Sequence, residues 1–357
     1  MSLPTSPNPS KEILLDGFML PSKYILGSVT KIFLLFTFAC FSAFKMVYYS
    51  ICDLPLCNYT TKISVFKCLH VTLAIIISSL KVLMILFGFD LNYFKRFIST
   101  MELLSIAPER SALRTIKRNR QLNLIILSMT FIGYSTLRIR YRLASIQNLF
   151  EATLLILCDI FIEFGLAFLL NMICNICICL KAAFKEINSK IADLNETPKQ
   201  VFNSFDEIRN LRKRYSYAVR ATKHADKLFR YFIAIFYIEY FAYNNLNIVR
   251  SFGLKTQIDS LWLFVMLSLT IHLLILTYNL VSVNNLSRQG LEDLYELSFK
   301  LNSLHLYHEN EIFMARMALS DVGFTFANLF TINNSFITSM FSLSLTIIIA
   351  LTSLIYR

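Results

Sequence analysis

The sequence has few of the residues that interrupt regular structure, and it carries little charge. Only 8 glycines and 7 prolines occur among 357 residues, and charged side chains make up 16% of the chain, whereas soluble chains are nearer a quarter charged. This scarcity argues against disorder and against a loop-rich all-β fold. Because 55% of the residues are hydrophobic, the apolar side chains need lipid as their solvent.

Motifs for catalysis, metal binding and nucleic-acid recognition are also missing. The sequence has no HExxH, nucleophile elbow or phosphate-binding glycine loop, so no enzyme activity is predicted. Cys174, Cys177 and Cys179 have a metal-like spacing but lack a nearby His or second cysteine pair, so neither a metal nor another cofactor is predicted. The net charge of +12 does not indicate nucleic acid, because the basic residues form no recognisable reader motif.

Long apolar runs predict membrane helices, which need about 20 mostly apolar residues each. Seven stretches meet this need: 32–51, 64–88, 121–137, 149–180, 231–249, 259–283 and 321–356. Backbone polar groups must be paired inside lipid, and these runs lack the two-residue alternation of a barrel. The predicted fold is therefore an all-α polytopic membrane protein with seven transmembrane helices.

The distribution of positive charge predicts the orientation of the chain. Most of the 35 lysines and arginines lie in the tail 1–31 and in the loops 89–120, 181–230 and 284–320. The positive-inside rule places these segments and the N-terminus in the cytoplasm, and the C-terminus outside the cell. The predicted organisation is a cytoplasmic tail (1–31), membrane helices one to six (32–283), a cytoplasmic helix (284–320) and the last membrane helix (321–357).

Two amphipathic segments predict helices beyond the membrane. Between residues 205 and 222, apolar side chains recur at three- and four-residue steps with charged residues between them, and the segment 291–319 repeats this pattern. We predict that both form helical extensions in the cytoplasm. They either pack against each other and neighbouring subunits, or lie on anionic membrane lipid through their basic faces.

The first loop predicted to lie outside carries two candidate modifications. Asn58 begins an Asn-Tyr-Thr glycosylation acceptor. Cys52 and Cys57 flank the same loop, where an oxidising environment would join them in a disulfide. The alternative is a pair of free thiols near the lipid headgroups.

Polar and aromatic residues within the predicted spans are the candidates for ligand binding. Ionisable side chains are costly in lipid, and small-molecule pockets combine apolar walls with a few polar groups. The candidates are Tyr134, Asp159, Glu163, Glu239, Tyr240, Tyr243, Asn244 and Trp262. They predict a pocket that opens outward; the alternatives are hydrogen bonds between helices and, for Tyr243 and Trp262, an interfacial aromatic belt.

The last span carries a row of small hydroxylated side chains. Ser335, Ser339, Ser342, Thr346 and Ser353 recur at steps of three, four or seven residues and so share one helix face. Such a face suits a water-filled path, because a purely apolar lining dewets and closes. We predict that it lines a pore; the alternative is a packing stripe between helices. The predicted packing residues of this span are Phe336, Met340, Phe341, Leu345 and Ile349.

The C-terminal segment resembles the last span of insect gustatory receptors. That family carries a G-L-F-x-L start and a closing motif of T-Y, five apolar residues and Q-F. Here Leu329-Phe330-Thr331-Ile332 stands at the start and Thr346 keeps the threonine, whereas Ile347, Ser353 and Leu354 replace the tyrosine, glutamine and phenylalanine. The seven spans, the cytoplasmic N-terminus and the long basic loop before the fifth span agree with this resemblance.

The resemblance implies a plasma-membrane channel for non-selective cation flow, gated by small-molecule tastants. It implies a tetramer, of identical or different gustatory receptor subunits, whose last spans line a central pore. Each subunit would hold its own ligand pocket on the extracellular side. The loss of the family's tyrosine, glutamine and phenylalanine implies altered gating, although Ser353 still presents a hydroxyl group to water.

Two other classes of membrane protein fit the sequence less well. A G-protein-coupled receptor would have its N-terminus outside and a proline-kinked last span, but no proline follows Pro198. A secondary transporter would show paired repeats with helices interrupted by glycine or proline. The last span contains Gly323 as its one glycine.

Overall fold

Long helices make up most of the chain in a computed structural model, which describes residues 26–54, 62–88, 90–104, 110–145, 149–196, 204–253, 260–301, 303–319 and 321–356. The helices are α1 (Leu26–Tyr48), α2 (Lys62–Leu83), α3 (Leu91–Leu103), α4 (Arg110–Ser145), α5 (Leu149–Glu196), α6 (Ser204–Gly253), α7 (Ser260–Arg288), α8 (Leu291–Ser298), α9 (Leu304–Ala318) and α10 (Asn334–Tyr356). One antiparallel hairpin, of strands β1 (Thr325–Phe326) and β2 (Phe330–Thr331), precedes α10. Single π-helical turns, Tyr49–Asp53 and Met84–Gly88, extend α1 and α2.

Six of the described helices are long and apolar enough to cross a membrane: α1, α2, α4, α5, α7 and α10. The predicted fifth span, 231–249, lies within α6, where Glu239, Asn244 and Asn245 make the helix more polar. The two asparagines are buried among other helices and so are shielded from lipid. Because α6 packs against α2, α3, α5, α7 and α10, it lies at the centre of the bundle. The predicted all-α polytopic fold is confirmed.

Two helices are far longer than a bilayer is thick. α5 has 48 residues and α6 has 50, so each extends over about 70 Å at 1.5 Å per residue. The ends of these helices pack together around the Tyr215 ring, which is buried against Phe184 and Phe313. The Tyr215 hydroxyl donates a hydrogen bond to the Ser287 carbonyl oxygen at 3.0 Å, which ties α6 to the end of α7.

The C-terminal third departs from the predicted boundaries. The segment 291–319 forms two helices, α8 and α9, with a break between them. The last membrane helix begins at Asn334 rather than at residue 321, because the chain first reverses in the hairpin. Ala327 and Asn328 have φ of 49° and 65°, in the left-handed region that tight hairpin connections use. Together with Leu329 they form the three-residue loop between the strands. The Phe326 and Phe330 rings stack on each other across this hairpin.

Candidate functional site

A small cavity lies between α4, α5 and α7. Its lining comprises Thr130, Phe131, Tyr134, Glu163, Ala167, Ser268, Leu269 and His272. The cavity leaves about 10 Å³ for the centre of a water-sized molecule, which is room for about one water. The Thr130 hydroxyl and His272 Nε2 are hydrogen-bonded at 2.6 Å across one wall. Of the predicted ligand-binding residues, this cavity brings Tyr134 and Glu163 together.

Close packing of α4 against α7 keeps the cavity narrow. A Cβ atom at Gly133 would lie 2.5 Å from Cζ of Phe264, so the absence of a side chain lets that ring reach α4. Tyr134, the next residue, accepts a hydrogen bond from Arg138 Nε at 2.9 Å on its hydroxyl oxygen. That bond leaves the tyrosine hydroxyl proton available for another acceptor.

Asp159 lies four residues before Glu163 on α5, but it is held by two cations. Lys45 of α1 donates to Asp159 Oδ1 at 2.9 Å, and Arg142 of α4 donates to Oδ2 at 3.2 Å. The aspartate side chain is 3% exposed. Arg142 belongs to the last turn of α4. Asp159 therefore ties three helices together and does not line the cavity.

The candidates on α6 face its neighbours α2 and α7. Glu239 accepts a hydrogen bond from Lys81 at 2.7 Å, and the Tyr243 ring packs on the His70 ring with 5.0 Å between centroids. Tyr240 and Asn244 each hydrogen-bond the Thr270 hydroxyl, both at 3.3 Å. These four residues do not line the α4–α5–α7 cavity. Trp262 belongs to α7, and its side chain lies outside the described part of the chain.

The last helix, α10, is the least covered of the candidate spans. Only 6% of its stretch Asn334–Ser353 is buried within the chain. It packs on α6, where the Ser344 hydroxyl donates to Asn245 Oδ1 at 2.6 Å, and Ile348 and Leu351 pack on Leu246 and Val249. The hydroxylated residues of the predicted pore face, Ser335, Ser339, Ser342, Thr346 and Ser353, are all exposed.

The helix geometry separates the faces of α10. Successive residues are rotated by about 100°, so Ser335, Ser342 and Ser353 lie on the side opposite Ser344 and its contact with α6. The predicted packing residues of α10 divide into two groups. Phe336 and Met340 pack on the core, but Phe341, Leu345 and Ile349 are 72%, 52% and 60% exposed. Phe341 and Leu345 form an apolar flank between the two faces, whereas Ile349 lies beside Ser342 at the edge of the hydroxyl face.

The hairpin that precedes α10 is anchored to α6 by a contact that the sequence did not predict. Asp226 of α6 accepts hydrogen bonds from the Thr325 backbone N–H at 2.6 Å and from its hydroxyl at 2.9 Å. Burial raises the pKa of the Asp226 carboxyl above its ordinary value, and the bonds from Thr325 partly oppose that shift. A single carboxylate in an amphipathic helix gives no sequence signal of so distant a partner.

The candidate modifications remain predictions. Cys52 is exposed at the end of its helical turn, whereas Cys57 and Asn58 lie outside the described residues. Cys174, Cys177 and Cys179 are buried in α5. Within the described ranges, no group of three His, Cys, Asp or Glu side chains is placed to hold a metal ion.

The chain has the same fold as a solved insect olfactory receptor. The chain matches the olfactory receptor OR5 of Machilis hrabei with a TM-score of 0.62 and 14% identity, covering 96% of both chains. It matches the same receptor in complex with eugenol with a TM-score of 0.59 and 15% identity, again over 96% of both. No protein-family model and no curated protein sequence matches. The chain thus has the fold of an insect olfactory receptor, which confirms the insect chemoreceptor fold expected from the C-terminal resemblance.

Proposed function

We propose that the protein is a subunit of a ligand-gated, non-selective cation channel of the gustatory receptor type, which detects small-molecule tastants at the plasma membrane. The observation that carries this proposal is the arrangement of α10. One side packs on α6 and the opposite side presents a row of exposed hydroxyl groups. The shared fold with OR5, which was solved with the small molecule eugenol, supports a chemosensory role.

In a tetramer with four copies around a central axis, each of the three described faces of α10 would have a contact. The α6 contact lies at the back, the apolar flank with Phe341 and Leu345 packs against the neighbouring copy, and the hydroxyl face lines the axis. Thr346 and Ser353 donate their hydroxyl protons to carbonyl oxygens of their own helix, both at 2.9 Å. Their oxygen lone pairs are then free for water or a cation, which suits cation conduction.

Two polar contacts offer a route from ligand to pore. The cavity walls α5 and α7 both pack on α6, and α6 is joined to the pore helix by Asn245–Ser344 and to the preceding hairpin by Asp226–Thr325. A ligand that shifts α7 against α5 therefore acts on α6, which moves both attachments of α10.

A chemoreceptor channel accounts for these features better than the other classes do. The fold is shared with an insect olfactory receptor over 96% of the chain, which does not favour a G-protein-coupled receptor. The choice of taste over smell rests on the C-terminal resemblance alone. A transporter would need helices broken at a central binding site, whereas α5 and α6 are continuous.

Orientation is the first test, because the positive-inside rule places the N-terminus in the cytoplasm. An epitope tag at the N-terminus is expected to be hidden from antibody in intact cells and to be labelled after permeabilisation. A tag after Arg357 should be labelled without permeabilisation. The reverse pattern would contradict both the orientation and the channel proposal.

Recording from cells that express the chain alone tests the channel itself. We expect tastants to evoke an inward cation current that persists when G-protein signalling is blocked. A current that appears only with a second receptor subunit would assign the chain to a mixed tetramer. A response that G-protein blockade abolishes would overturn the proposal.

A further inference from the structure

Glu163 is the one carboxylate in the lining of the α4–α5–α7 cavity. It lies four residues, about one helical turn, beyond Asp159 on α5. Within the part of the chain that the structure describes, its side chain makes no salt bridge and no hydrogen bond, although it is partly buried. An unpaired carboxylate at this depth is costly, and proteins that keep one commonly use it.

The cations near Glu163 are engaged by other groups. Lys45 and Arg142 bind Asp159, at 2.9 and 3.2 Å. Lys81 binds Glu239 at 2.7 Å, and the Arg138 guanidinium donates to the Tyr134 hydroxyl and lies over its ring. None of these four cations is within salt-bridge distance of Glu163. The Glu163 carboxyl group therefore faces the cavity without a cation bonded to it in the described part of the chain.

The remaining cavity wall is suited to an organic cation. The Phe131 side chain offers an aromatic ring, which attracts ammonium groups through its π face. Ala167 and Leu269 add apolar surface for a hydrocarbon body, and Ser268 adds a hydroxyl oxygen that can accept a second ammonium proton. A neutral ligand would use the apolar wall but leave the carboxylate unpaired.

We propose that this cavity selects small protonated amines with an apolar body, with the ammonium group bound to the Glu163 carboxylate. The inference rests on the proposed function for the choice of this cavity as the ligand site. With room for about one water, the cavity must widen to admit such a ligand. Widening separates α7 from α4 and strains the Thr130–His272 bond, which links amine binding to the helix movement that gating requires.

Direct binding to the purified, detergent-solubilised chain tests this selectivity without relying on current. The probes are 2-phenylethylamine, which is protonated at neutral pH, and 2-phenylethanol, which has the same body without the charge. We expect the amine to bind more tightly. Glu163→Gln should weaken amine binding by at least about tenfold, since a charge-assisted bond contributes 1.5–3 kcal/mol, and should leave the alcohol unaffected.

Two further variants control for charge and for folding. Glu311→Gln removes a carboxylate that is 61% exposed on α9 and should change neither affinity. Glu163→Asp keeps the charge on a shorter side chain, so it should retain the preference for the amine even if its affinity falls. If Glu163→Gln does not fold, Glu163→Asp and Glu163→Ala provide the test. The inference expects Glu163→Asp to keep the preference for the amine over the alcohol and Glu163→Ala to lose it.

The outcomes separate this inference from the proposed channel function. Three results would overturn the inference. The amine could bind equally well to the wild type and to Glu163→Gln, the wild type could prefer the alcohol, or neither probe could bind. A current gated by neutral ligands and indifferent to Glu163→Gln would support the channel while overturning amine selectivity. Amine binding that depends on Glu163 in a chain that passes no current would support the inference and count against the channel.

Discussion

A cysteine at Ser353 should make the ligand-evoked current sensitive to a charged thiol reagent applied from outside, with most of the current lost. Ser353 is exposed on the face of α10 opposite its contact with α6. In a tetramer four such positions would form a narrow ring. A bulky charged group on each would obstruct the path and repel ions of like charge. The measurement is whole-cell current before and after the reagent during steady ligand application.

Leu351→Cys is the matched control for this experiment. Leu351 lies two residues away but packs against Leu246 and Val249 of α6, so the reagent should leave its current unchanged. The wild-type protein is a second control, because its exposed Cys40 and Cys52 are accessible to the thiol reagent. The reagent must leave the wild-type current unchanged. If Ser353→Cys is verifiably labelled and the current persists, Ser353 faces protein or lipid and α10 does not line the pore as proposed.

When the Asp159 carboxylate is removed, most of the expressed protein should fail to fold. Asp159→Ala leaves the largely buried Lys45 and Arg142 charges without their shared partner. Breaking a buried ion pair in this way costs about 3–5 kcal/mol, a large part of the 5–15 kcal/mol that stabilises a typical folded protein. We expect a sharp fall in the yield of monodisperse protein by size-exclusion chromatography and a lower Tm for what remains.

Glu163→Gln gives the comparison, since Glu163 is a carboxylate on the same helix without a bonded cation among the described residues. It should fold with nearly the wild-type yield and Tm. A normal yield of Asp159→Ala would mean that water replaces the carboxylate around the two cations. In that case the cluster would be solvated, and a ligand-binding role for Asp159 would again be open.

Several features of α10 could be predicted from local sequence, whereas its start could not. The three- and four-residue spacing of its serines places them on one face of a helix, and all five side chains are exposed. The hairpin before α10 depends on left-handed backbone at Ala327 and Asn328 and on the anchor to Asp226. Alanine does not signal such a turn, and the anchor lies on another helix.

The sequence by itself determined the all-helical membrane fold, because hydrophobic runs and helical periodicity are local properties. In lipid, each backbone polar group must be paired within its own segment. The spacing of apolar residues between 205 and 222 likewise predicted a helix, which the structure shows as the first part of α6.

Only the tertiary structure decided what each polar residue does. In the sequence Asp159 and Glu163 are equivalent: two carboxylates, four residues apart, on one face of α5. Packing of α1 and α4 brings Lys45 and Arg142 to Asp159, whereas the space between α4, α5 and α7 remains open beside Glu163. Electrostatic pairing acts over a few ångströms. The roles of the two carboxylates therefore depend on how distant segments of the chain pack, which no local pattern records.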